Sequence, residues 1–159
     1  MTRKARILLQ NFCYHVIVRG NQQQFTFLDD EDFHKVLKFL KKYKLKFKME
    51  IYAYCIMGNH MHLLLNPSKS DILKKFMHGI NMSYAKHFNY KYKKCGHVWH
   101  DRFKSYIITK DSYIFNCVNY IEYNPIRAKI VDKPEDYEWS SYRGRHGITK
   151  DSLFDEITI

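Results

Sequence analysis

The residues best equipped for chemistry lie in two short stretches. In the first, Gly58-Asn59-His60-Met61-His62-Leu63-Leu64-Leu65, a Gly-Asn turn opens directly into an apolar run that reads as a strand. Side chains alternate along a strand, so His60 and His62 share one face while Met61 and Leu63 share the other. Two imidazoles one residue apart on one face can hold a single metal ion from two sides. The plain alternative is a pair of ordinary histidines on a half-exposed strand. The second stretch runs from residue 111 to residue 124 and stops at Pro125. At helical spacing Ile114, Cys117, Val118 and Ile121 form its buried stripe, and Tyr113, Asn116, Tyr120 and Asn124 fall on a neighbouring face. Tyr120 and Asn124 stand one turn apart. If they meet the histidines, the amide can act as a third ligand, because hard divalent ions accept carbonyl oxygen. The phenol can act as a nucleophile toward a phosphate that the metal polarises.

Strands and helices must bring these stretches together. Residues 12–18 alternate, with Tyr14, Val16 and Val18 on one face and His15, Ile17 and Arg19 on the other, which predicts a strand. Asp29 or Asp30 can cap a first helix whose apolar positions are Phe33, Val36, Leu37 and Leu40. Residues 46–56 return to period two, with Phe47, Met49, Ile51, Ala53 and Cys55 on one face, and the Gly58-Asn59 turn folds this strand back on the histidine strand as a hairpin. Ser70 is a candidate cap for a second helix with the stripe Leu73, Phe76, Ile80, Tyr84 and Phe88. Residues 98–108 look extended, with His100, Arg102, Lys104 and Tyr106 on one face, and the third helix follows. Residues 126–131 read as a short strand or turn. The polar tail from residue 132 offers Trp139 and Tyr142 as docking anchors. The order β-α-β-β-α-β-α predicts an α+β, ferredoxin-like sandwich with a mainly antiparallel sheet. The first two helices should cover one face. The third, carrying Tyr120, should lie on the histidine-bearing face.

A chain of 159 residues, 45% hydrophobic and low in Gly and Pro, is long enough for a core and reads as one domain over residues 1–159. No apolar run approaches a membrane span and the first residues lack a signal-peptide pattern, so a cytoplasmic protein with no membrane partner is expected. Cys13, Cys55, Cys95 and Cys117 are scattered without a CxxC pair, which predicts reduced thiols. The charge is more telling: 27 Lys and Arg against 16 Asp and Glu leave +11, with 16% aromatic residues. Basic charge favours polyanions, and exposed aromatics can stack on unpaired bases.

Five motifs then occur in a familiar order. Tyr14-His15-Val16 with Arg19-Gly20-Asn21 and Leu28-Asp29-Asp30, Met57 to Leu64, residues 99–103, Tyr120 to Ala128, and Trp139-Ser140-Ser141-Tyr142 span nearly the whole chain. Together they resemble the single-tyrosine HUH transposases of the insertion-sequence group, most closely the REP-associated tyrosine transposases of bacteria. One departure is Gly58, where the family commonly has proline.

The resemblance implies a ferredoxin-like enzyme that cuts and rejoins single-stranded or hairpin DNA with a divalent metal, Mg²⁺ or Mn²⁺, in association with the bacterial nucleoid. Carried over by position, His60 and His62 would be metal ligands, Asn124 the third ligand and Tyr120 the nucleophile that forms a 5′-phosphotyrosine. Arg19, Arg102, Lys104 and Arg127 are candidate DNA contacts, with solvated surface charge as the alternative. Tyr123 is a rival nucleophile, one position off the Asn124 face. Cys95, His97 and His100 could suggest zinc, but lack a fourth ligand at sensible spacing. Two classes stay open, a strand-transfer enzyme and a non-catalytic binder of hairpin or single-stranded DNA on the same scaffold, together with a water-using phosphodiesterase. Monomer and homodimer are also open.

Overall fold

Four alternating segments pair into one sheet. β1 (Cys13–Arg19), β2 (Glu50–Met57), β3 (His60–Asn66) and β4 (Lys104–Ile108) lie in the order β2-β3-β1-β4, with all neighbours antiparallel. α1 (Asp30–Phe47) connects β1 to β2, and α2 (Ser70–Tyr92) connects β3 to β4. This is the expected ferredoxin-like α+β arrangement. The computed structural model describes Ala5 and residues 8–158.

Register decides what each face carries, because directly paired residues project to the same side. His62 pairs with Ile17 and Cys55, His60 with Arg19 and Met57, and Lys104 with Ile17. The opposite face carries Tyr14, Val16, Val18, Met61, Leu63 and Leu65, all buried. α1 and α2 pack on each other and cover that apolar face, burying Val36, Leu40, Leu73, Phe76, Ile80, Tyr84 and Phe88. α3 (Asp111–Glu122) takes the histidine face, resting on β2, β3 and β4 through Ile114, Cys117, Val118 and Ile121. The sheet beneath it is lined by small side chains, Cys13, Ala53 and Cys55, which let the helix approach closely.

Several boundaries differ from the sequence reading. Asp29 alone caps α1, accepting from the Asp32 N–H at 3.0 Å, and the helix runs on through Phe47 to a left-handed Lys48. Residues 46–48 are therefore not strand. A bulge between Ile51 and Ala53 splits the face expected to hold both: Ile51 points with Leu65, Ala53 and Cys55 with the histidines. β2 is buried on both sides, so alternation carried no information there. Ser70 is the first residue of α2, after Lys69 at the cap position. Residues 98–103 are irregular and held by the Gly20–Trp99 bridge and by His100 N–H donating to Arg19 O at 2.9 Å, so only Lys104 and Tyr106 of the expected row lie on β4. α3 ends at Glu122; after a break at Tyr123, Asn124 opens a one-turn helix, α4 (Asn124–Arg127), with Pro125 in its first turn. Ile126 and Arg127 belong to that helix and residues 128–130 form a turn and bend, so no strand forms over 126–131.

The tail is a strap along the free edge of β2. Ile56 N–H donates to Trp139 O (2.8 Å), Ser141 N–H to Tyr54 O (3.0 Å), and Tyr54 N–H to Ser141 Oγ (3.0 Å). Trp139 stacks on Phe33 of α1 at 4.7 Å. Further on, Ile51 N–H donates to Asp155 Oδ2, and Lys44 pairs with Asp155 at 2.8 Å. From the strap, Ser141 Oγ and Arg145 Nε both donate to Glu122 Oε1, at 2.7 and 2.8 Å, tying α3 to the edge. Tyr142 is a weaker anchor, half-buried between Tyr123 and His146.

Candidate active site

The turn before β3 is clamped from outside. Gly20 N–H donates to Asn59 O, and the N–H groups of Thr26 and Phe27 both donate to Gly58 O. The Phe25 ring sits so close that a Cβ on residue 58 would lie 2.8 Å from it, so a larger residue there would require that exposed ring to shift. His60 follows, its Nδ1 2.6 Å from Asn59 Oδ1. That oxygen only accepts, so His60 carries its proton on Nδ1 and leaves Nε2 as the free lone pair.

His62, 2% exposed, lies under the end of α3. Asn124 Nδ2 approaches its Nε2 at 2.7 Å, and its Nδ1 is 3.0 Å from His15 Nε2. An amide nitrogen only donates, so Nε2 of His62 accepts and the ring proton sits on Nδ1, donated to His15. Both histidines thus have Nδ1 anchored; Nε2 of His60 is the available donor atom, while Nε2 of His62 becomes available when the Asn124 amide turns its Nδ2 away. Their rings are 5.1 Å apart, edge to face. The Tyr120 ring packs 6.1 Å from His62 and 5.7 Å from His15. His60, His62, Tyr120 and Asn124 are therefore brought together within one chain.

Among the described residues no group of three or more His, Cys, Asp or Glu side chains is arranged for a metal. The donor set here is instead two imidazoles and one amide, whose oxygen is the kind of donor Mg²⁺ and Mn²⁺ take. Matched Nδ1–H tautomers fit such a cation, and the Asn124 amide fits it once turned so that its oxygen, rather than the Nδ2 now bonded to His62, faces the site. Cys95, His97 and His100 form no such group, so the zinc alternative gains no support.

Burial lowers the pKa of all three imidazoles, to about 4 for His15 and His60 and about 2 for His62; His60 is further lowered by Arg19, and His62 by His60, His15, Arg19 and Arg127. They stay neutral near pH 7, as ligation requires. Unfolded histidines take up protons near pH ~6.5. The unfolded state then binds more protons than the folded one, so stability should fall as pH drops from about 6.5 toward 4. Thermal melting in chelator should show a clearly lower Tm at pH 5 than at pH 7; equal values would contradict this electrostatic picture.

The basic candidates divide by position. Arg19 pairs with His60 in register, and with His100, Arg102, Lys104 and Tyr106 it lines a cavity of about 600 Å³ beside β1 and β4. Arg127 instead lies over Tyr120, its guanidinium carbon 4.0 Å from the ring centroid and Nη2 donating to Tyr120 O. Tyr123 packs on Tyr142 at 5.9 Å, whereas Tyr120 packs on His15 and His62. The sequence reading gave His15 no role. Alternation had placed it on the Arg19 face, but only the pairing of β1 with β3 sets it diagonally beside His62.

Comparison with known proteins bears on this geometry. Residues 9–124 match the family described as transposase, IS200-like. The chain belongs to the IS200-like transposase family. The matched segment contains β1, the histidine strand and all of α3 through Asn124. A Haemophilus influenzae protein provisionally assigned as a REP-associated tyrosine transposase is 28% identical over 125 residues, covering 69% of this chain. The match covers 66% of that relative, so the chain spans just under two thirds of its length. Among solved structures, a REP-associated tyrosine transposase bound to a REP hairpin superposes over 100% of both chains with TM-score 0.77 at 17% identity. A provisionally assigned transposase of Deinococcus radiodurans gives 0.51 over 76% of this chain and 96% of its own, at 18% identity. The tRNA(His) guanylyltransferase of Saccharomyces cerevisiae gives 0.52 at 16% identity, covering 80% of this chain and 63% of its own. The same sheet carries other chemistry there, so for this transposase family member the mechanism must be argued from the site. Among the described residues no helix is long and apolar enough to cross a membrane.

Proposed function

We infer that this protein cuts and rejoins single-stranded DNA next to a hairpin, with Tyr120 as nucleophile and a divalent cation as cofactor. The observation that carries the reading is the placement of Tyr120 and Asn124 against His62, with Nε2 of His60 and His62 as lone-pair donors. His60 Nε2, His62 Nε2 and the Asn124 amide oxygen would hold Mg²⁺ or Mn²⁺, which supplies charge to polarise a non-bridging phosphate oxygen. The chain's own residues do the rest. Arg19 and Arg127 flank the neutral histidines with fixed positive charge that draws a phosphodiester inward. Arg127 holds the Tyr120 ring in place by stacking and by its bond to the main chain. The phenolic oxygen attacks phosphorus, its proton passes to solvent, and the bond to the 3′-oxygen breaks. That oxygen takes up a proton from solvent and leaves as the 3′-hydroxyl of the upstream fragment, and the downstream fragment remains on Tyr120 through its 5′-phosphate. Reversal by a 3′-hydroxyl restores a phosphodiester without ATP.

The test is a denaturing gel. With Mn²⁺ and an oligonucleotide carrying a hairpin and a single-stranded flank, a covalent protein–DNA band is expected. Cleavage without the band would make water the nucleophile. Binding with neither would leave a non-catalytic binder. Binding should also weaken steeply with salt, since Arg19, Arg102 and Lys104 line the cleft beside the histidines. Filter binding across a salt series should show hairpin preferred over plain duplex; the reverse preference would count against this function.

A further inference from the structure

Several features outside the ligand set were candidates: the basic cleft beside β4, the exposed aromatics of α3, the buried thiols beneath it, and the third imidazole beside the histidine pair. The imidazole is the one the geometry carries furthest. His15 stands on the central strand β1, half-buried, with its Nε2 3.0 Å from His62 Nδ1. The two rings stack at 5.2 Å with 27° between their planes, and the His15 ring meets Tyr120 edge-on at 5.7 Å.

We propose that His15 is a positioning residue: its Nε2 accepts the Nδ1 proton of His62, which fixes His62 in the tautomer that presents Nε2 to a metal and fixes the plane of its ring. The inference rests on the metal-dependent reading above and adds to it the group that orients one ligand. Two contacts support it from opposite sides of the ring. Asn124 Nδ2 can only donate to His62 Nε2, so the proton must be on Nδ1; the nearest partner of that proton is His15. His60 reaches the same tautomer by another route, through Asn59 Oδ1. The two ligands are thus oriented by different parts of the fold, one by the turn and one by the neighbouring strand. Partners of this kind fix ring orientation and raise ligand basicity, and losing one costs about 10- to 100-fold in metal affinity.

The test separates the acceptor from the ring. His15→Phe keeps an aromatic surface against Tyr120 and removes the acceptor; His15→Gln places an oxygen acceptor at the reach of the imidazole Nε2. Mn²⁺ alone is titrated into each full-length protein and the free ion is read by electron paramagnetic resonance, without DNA. The dissociation constant is expected to rise about 10- to 100-fold in His15→Phe and to stay near wild type in His15→Gln. Imidazole ¹⁵N shifts should show His62 as the Nδ1–H tautomer in wild type. A wild-type His62 protonated on Nε2 overturns the proposal with no variant needed, so poor folding of His15→Phe does not protect it. Equal Mn²⁺ affinity in wild type and a folded His15→Phe overturns it as well, as does a folded His15→Gln that loses metal like His15→Phe. If wild type binds Mn²⁺ and the variants do not differ, the His15 role alone falls. If wild type binds none, the metal reading falls and takes this role with it.

Discussion

Replacing Tyr120 with phenylalanine should remove the covalent DNA adduct entirely while leaving the fold and DNA binding intact. The side chain is half exposed at 49%, and α3 is held by Ile114, Cys117, Val118 and Ile121 rather than by the phenol oxygen. Stability should therefore move by no more than about 0.5 kcal/mol, the usual range for a surface change. Arg127 can still lie over a phenylalanine ring. What is lost is the only oxygen at that position able to attack phosphorus, so raising the Mn²⁺ concentration should not restore the band. His60→Ala should behave differently: it removes one donor of the cation site, and excess Mn²⁺ should recover part of the adduct. Tyr123→Phe should retain the band, since its ring packs on Tyr142 while it is Tyr120 that packs on His15 and His62. A denaturing gel of the three variants side by side decides the matter. A band that survives in Tyr120→Phe and disappears in Tyr123→Phe would move the nucleophile to Tyr123.

Glu122→Ala should be the most damaging change outside the ligand set. Glu122 is 1% exposed, and its Oε1 accepts from both Ser141 Oγ and Arg145 Nε. Removing it leaves the Arg145 guanidinium without its counter-charge, although Arg145 still donates to Tyr52 O. Breaking a buried pair by deleting one partner costs about 3–5 kcal/mol. At roughly 2–4 °C per kcal/mol for a chain of this size, the melting temperature should drop by about 6–20 °C. Adduct formation should fall as well, because Glu122 is the last residue of α3 and lies between Tyr120 and Asn124. Glu122→Gln keeps an acceptor for both donors and should lose much less. A melting curve for Glu122→Ala within a degree or two of wild type would show that the strap does not hold α3.

Much of this was legible from periodicity. The order of strands and helices, the separation of the His60/His62 face from the face under α1 and α2, and the buried stripe of α3 all follow from alternation and helical spacing. What the sequence hid has identifiable causes. β2 is buried on both sides, so no pattern could mark the bulge that turns Ala53 and Cys55 toward α3 while Ile51 faces the other way. Residues 98–103 alternate like a strand but are fixed by hydrogen bonds to Arg19, Gly20 and Asn21, contacts far away in sequence. Pro125 suggests a stop at Asn124, but α3 ends two residues earlier at Glu122, and Pro125 sits inside the single turn that carries Asn124 to His62. His15 was on view in the motif and on the right face, but its nearness to His62 depends on strand register. For Arg127, a candidate DNA contact by sequence, no periodicity could show that its guanidinium lies on the Tyr120 ring.

The strap along β2 gives the molecule an order in time. A chain emerging from the ribosome has made β1 through α3 before residues 139–145 exist. Until those residues arrive, Glu122 has neither the Ser141 hydroxyl nor the Arg145 guanidinium, and docking α3 would bury a carboxylate without these partners. The open edge of β2 would also still present Tyr54 and Ile56 main-chain groups to the solvent. Docking of Tyr120 beside His62 is therefore favoured only once the strap has been synthesised and laid down. Under the function proposed above, the geometry that would cut DNA forms only after translation has passed beyond the helix that bears the tyrosine.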